Sequence, residues 1–86
     1  MENFERENYK ASLHEYKDFV EGNIWSDIQT VLRERIENYH VMLEEATAEE
    51  LPRIQGAISE LRFLLYLPQG TIAKMKEEQE YGLRRT

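Results

Sequence analysis

Between Ile24 and Glu45 the chain carries Trp25, Ile28, Leu32, Ile36, Tyr39 and Leu43 at successive intervals of three or four residues. No Gly or Pro interrupts the run. That spacing stacks the six side chains on one face of an α-helix and matches no strand. A helix of this length is a rod of roughly 33 Å. Val31, Val41 and Met42 lie beside the stripe and widen it, which predicts contact with more than one neighbour. Asn23 or Ser26 can cap the start, and Asp27 suits the positive end of the helix dipole.

Everything else must be arranged around that rod. Upstream, Tyr9, Leu13, Tyr16 and Val20 repeat at intervals of four, three and four, with Phe19 alongside. They predict a helix over about 3–21, closed by Gly22-Asn23, two residues that tolerate a left-handed conformation. Downstream, Thr47 and Glu50 have the spacing of a capping box, and Pro52 fits a first helical turn. Either a turn at 48–51 leads into a helix from Pro52, or one helix begins near Ala48. Ile54, Ala57, Ile58, Leu61, Leu64 and Leu65 supply its stripe, and Leu67-Pro68 should end it. Thr71 can then cap a short fourth helix over 71–79, with residues 79–86 a frayed tail. The connection near Ala46-Thr47 is short, so the two long helices should be antiparallel neighbours. The expected fold is all-α and a single domain over 1–86. It is an antiparallel hairpin of about 24–45 and 52–67, with an added N-terminal helix. Its predicted core is Trp25, Ile28, Leu32, Tyr39, Ile58, Leu61 and Leu65.

An 86-residue chain without Cys cannot reinforce a small core with disulfides or thiolate metal sites. Tight helix packing or self-association remains. The aromatic residues Tyr9, Tyr16, Phe19, Trp25, Tyr39, Phe63 and Tyr66 exceed what one hairpin can cover. Trp and Tyr are favoured interface anchors, so a homo-oligomer is expected, with a C₂ dimer the commonest form. Charge agrees with this. Residues 1–50 hold 13 acidic and 5 basic side chains, and residues 51–86 hold 4 and 6. Opposite signs on the two halves favour head-to-tail or antiparallel pairing of subunits. The formal net charge of −6 makes direct nucleic-acid binding unfavourable. The longest apolar run, Phe63 to Leu67, is too short for a transmembrane helix. The acidic start, Met1 to Glu5, lacks the features of a secretory signal, and an intracellular setting is expected.

Catalytic chemistry finds little support. Ser12, Ser26 and Ser59 have no nucleophile-elbow glycines, and the glycines at 22, 56, 70 and 82 form no phosphate loop. No enzyme activity and no cofactor are expected. Glu37 and His40 have the spacing used in di-iron bundles, but one copy needs a symmetric partner to complete a ligand set. A solvated helix face is the reading preferred for the pair, and no metal site is expected. The acidic set Asp27, Glu34, Glu37, Glu44 and Glu45 is interleaved with Arg33 and Arg35, which dilutes any likeness to nucleic-acid phosphates.

Gly56 is the more informative position. Inside a helix it costs about 1 kcal/mol relative to Ala, and close approach of another helix is the usual compensation. Either the hairpin partner or a second subunit can supply that approach. Gly56, Gln55, Trp25, Tyr39 and Phe63 are therefore the expected core and interface residues.

The runs Ile24-Trp25-Ser26-Asp27-Ile28, Arg53-Ile54-Gln55-Gly56-Ala57 and Leu64-Leu65-Tyr66-Leu67-Pro68 resemble those of small tailed-phage proteins. The resemblance spans about residues 24–76 and implies a phage or prophage accessory protein. Such a protein would act in head assembly or against a host system, in the host cytoplasm or on the virion, and its partner would be a phage or host protein. The resemblance transfers no binding residue. The competing expectation is a binder of anionic nucleotides at subunit interfaces, with Arg53, Arg62 and Lys74 gripping phosphate and Tyr66 stacking a base.

Overall fold

A computed structural model describes the backbone of residues 9–85 and the side chains of 9–81. These residues form three α-helices: α1 (Leu13–Val20), α2 (Asn23–Leu43) and α3 (Leu51–Arg85). The all-α class stands, and among the described residues there is no strand.

Helix α1 is shorter than its apolar spacing predicts. Ser12 is extended (φ −81°, ψ 168°) and closes a capping box. Its hydroxyl accepts from the Glu15 backbone N–H (3.2 Å), while its own N–H donates to the Glu15 carboxylate (3.0 Å). The predicted helical residues 9–12 therefore lie outside the helix, and the predicted residues 3–8 lie outside those described. Gly22 is also not left-handed. It is extended (φ −91°, ψ 167°) and serves as the N-cap of α2, in place of Asn23 or Ser26.

The Thr47–Glu50 box forms as the sequence implies. Thr47 N–H donates to the Glu50 carboxylate (3.1 Å), and Glu50 N–H donates to the Thr47 hydroxyl (3.3 Å). Leu51 N–H reaches the Thr47 carbonyl at 3.1 Å, so helical bonding starts right after the box. Pro52 falls in the first turn, where its missing N–H costs nothing.

The largest departure concerns Pro68. The expected stop and short fourth helix are absent. α3 runs for 35 residues with Pro68 inside it. An internal proline removes one ladder bond and costs about 3 kcal/mol. Two features offset this. The carbonyl that loses its donor belongs to Leu64, on the exposed side. Pro68 itself is buried, together with Thr71 and Ile72 one turn on, so the turn it would break is held by packing.

The centre of the molecule is Ile36 of α2 against Ile54 and Ile58 of α3, flanked by Tyr39, Leu43, Ala46, Leu61 and Leu65. Helix α1 packs on α3 and on the start of α2. There the Phe19 and Trp25 rings lie 5.5 Å apart, tilted by 38°. Of the predicted core, Trp25 and Ile58 are buried, and Leu32, Tyr39, Leu61 and Leu65 are half-buried. Ile28 is exposed, because it sits at the edge of the stripe away from α3. Ile36, Ile54 and Ile72 are core residues that were not in the predicted set. The buried indole N–H of Trp25 has no hydrogen-bond partner among the described residues. Such a donor costs about 1–3 kcal/mol.

Ile54→Ala and Ile58→Ala should each cost about 2–5 kcal/mol in urea unfolding. Ile28→Ala should cost less than about 1 kcal/mol, and the reverse ranking would contradict this core. Trp25→Phe should cost clearly less than Trp25→Ala, since it removes the unpaired donor along with little ring volume.

Candidate functional site

The described residues form an open, elongated body of 57 × 32 × 19 Å. Its radius of gyration is 17.2 Å, against about 12 Å for a compact chain of this length. Accessible surface is 7075 Å², where a folded monomer of 10.3 kDa averages about 5,400 Å². The excess is carried in part by apolar side chains. Ile24 (70%), Val31 (54%), Val41 (56%) and Met42 (48%) stand out on α2, and Phe63 (57%), Leu64 (43%), Tyr66 (64%) and Leu67 (42%) on α3. On α3 four large apolar residues are thus exposed within five positions.

The predicted interface residues divide between core and surface. Trp25 is buried, Tyr39 flanks the central isoleucines, and Gln55, Gly56 and Phe63 are exposed. A Cβ added at Gly56 would meet nothing within 4 Å. The hairpin contact expected to explain this glycine is therefore absent, because Gly56 faces away from α2. Gly70 has a different neighbour. A Cβ there would run into the Tyr66 ring, which lies over the helix backbone at this point.

The four candidate anion-binding residues are all exposed and do not converge within one chain. Arg62 lines a groove of about 230 Å³ with His40, Gln55 and Ser59. Tyr66 and Lys74 line another, of about 490 Å³, with Lys76, Glu77 and Glu80. Arg53 lines neither. The two glutamates in the larger groove oppose an anion there.

Glu37 and His40 form a loose pair at 4.0 Å on α2, with His40 half-buried at the groove shared with α3. His14 and Asp18 form a similar one at 3.3 Å on α1. Among the described residues no three His, Cys, Asp or Glu side chains gather as metal ligands. No described helix is long and apolar enough to cross a membrane. The displaced acidity of Glu15 is structural. The Ser12 backbone N–H, then its hydroxyl, hold the Glu15 carboxyl below its ordinary range. Compared with known protein families, curated proteins and solved structures, the chain matches none.

The Ser12–Glu15 box was not singled out from the sequence, although the Ser-Leu-His-Glu spacing carries the same signal as Thr47–Glu50. The Tyr66–Gly70 contact was also missed, and an aromatic residue four positions before a helical glycine is its only sequence trace.

Two measurements follow. A carboxylate with a depressed folded pKa stabilises above its unfolded pKa, and that contribution is lost as pH falls through the folded value. The α1 cap should therefore weaken in acid, and Ser12→Ala should move the Glu15 titration upward by NMR. An unmoved titration would remove the Ser12 hydroxyl as a cause and leave its backbone N–H. Gly56→Ala should stabilise the isolated chain by about 1 kcal/mol in denaturant melts at high dilution, because nothing in the chain opposes the added methyl.

Proposed function

We propose that this chain is a non-enzymatic accessory protein of the phage type that works by self-association and by docking on another protein. The scaffold of this reading is a helical hairpin in which α2 and α3 run antiparallel. The short 44–50 connection and the Ile36–Ile54–Ile58 contact support it. The observation that carries the functional reading is the exposed apolar surface on so open a body. Ile24, Val31, Val41 and Met42 on α2 and Phe63, Leu64, Tyr66 and Leu67 on α3 are the large apolar side chains that support it. The phage assignment rests on the resemblance over residues 24–76, and the split of Arg53, Arg62, Lys74 and Tyr66 weighs against the nucleotide-binding alternative.

Self-association predicts a multiple of 10.3 kDa by light scattering at micromolar concentration. It also predicts a melting temperature that rises with protein concentration. A monomer with a concentration-independent melt would overturn the reading. A nucleotide panel separates the alternative, since a ligand at 100 times its Kd adds about 2.7 kcal/mol of stability. No shift is expected.

A further inference from the structure

The buried residues fall into two sets. Ile36, Ile54 and Ile58 form one cluster. Trp25, Pro68, Thr71 and Ile72 are buried outside it. They lie about three turns from Ile36 along α2 and about three to four turns from Ile58 along α3. Helix α1 belongs with the second set. Its Phe19 ring rests on Trp25, and its Leu13 shares a groove of about 220 Å³ with Met75, Glu78 and Gln79. Those three residues all lie beyond Pro68 in α3.

We infer that Pro68 is a hinge: α1 and the part of α3 beyond Pro68 open as one unit and uncover Trp25, while the Ile36–Ile54–Ile58 contact stays formed. The inference does not rest on self-association. At the join between the two sets, three residues of α3 resist the helix. Leu67 precedes a proline and so avoids the α region, Pro68 has no N–H for the Leu64 carbonyl, and Gly70 loses more backbone freedom than any other residue type. At the other end, Glu21 and Gly22 alone join α1 to α2. The closed form also holds the Trp25 indole N–H buried without a hydrogen-bond partner among the described residues, and opening gives it water.

The two pieces open together because neither holds alone. Helix α1 has eight residues and no buried side chain, too little for a helix in water. Beyond Ile72 the described part of α3 keeps one apolar side chain half-buried, Met75, and that side chain shares its groove with Leu13. Unwinding the end of α3 removes the support of α1, and release of α1 takes Phe19 off Trp25. The stop that Leu67-Pro68 implies, absent from the closed structure, is the shape of α3 in the open form.

Trp25 is the single tryptophan of the chain, so its fluorescence reads the opening directly. In urea the full chain should show two steps. The Trp25 signal should change in the first, with part of the circular dichroism, and the remaining helicity should be lost at higher urea. One coincident transition would overturn the hinge. So would a first step that shifts with protein concentration, which is dissociation of an assembly. Native-state hydrogen exchange gives a second reading. Ile54→Ala raises the energy of closed and open forms alike. It should speed exchange of the amides around Ile58 at least about 30-fold and leave the Trp25 indole N–H and the amides of α1 and of 73–80 unchanged. Ile72→Ala raises the closed form alone, and should speed both groups by one factor. Equal acceleration of both groups by Ile54→Ala would make the chain a single cooperative unit and overturn the hinge. Indifference of the second group to Ile72→Ala would show simple fraying and do the same. Should Ile54→Ala fail to fold, the urea melt of the unaltered chain decides.

Discussion

The contact of Ile36 with Ile54 and Ile58 holds the described fold together. It joins the two long helices of the described residues, and it lies close to the turn that connects them. The connection is short because the Thr47–Glu50 box starts α3 soon after α2 ends, with both backbone groups satisfied. A capped start and a near-by apolar contact support each other. The first limits the ways the chain can re-enter a helix, and the second selects the one that buries three isoleucines.

The rest of α3 depends on that anchor. Its second half contains a proline and few apolar residues, and it would be a poor helix alone. Helicity propagates cheaply once a nucleus exists, so a helix already docked through Ile54 and Ile58 can carry the loss of one backbone bond at Pro68. Burial of Pro68, Thr71 and Ile72 and the packing of α1 on this region supply the compensation. Helix α1 is the most dependent element. At eight residues it has no buried side chain, and its order comes from the Ser12 cap and from Phe19 on Trp25.

This architecture leaves many large apolar side chains of α2 and α3 uncovered. No cluster of reactive side chains competes for attention among the described residues. The grooves are shallow, and the polar groups lining them are of mixed sign. The helix faces, by contrast, present ordered rows of side chains at the spacing that another helix recognises.

How much of this was legible in the residues follows from which signals are local. Spacing at three and four determined that the chain is helical and where α2 lies. The Thr47 box determined where α3 begins. Those features depend on neighbours within one or two turns. The sequence could not decide whether Pro68 ends a helix, because the same residue stops an isolated helix and is carried by a docked one. Nor could it decide which edge of a wide stripe is inside. Ile28 and Ile36 both sit on the α2 stripe, and only the position of α3 buries Ile36 and leaves Ile28 in solvent. Gly56 is the sharpest case. Its cost to the helix is written in the sequence, but the direction it faces is set by the packing of Ile54 and Ile58, two residues to either side. Local periodicity determined the elements, and the tertiary contact alone decided which faces they keep.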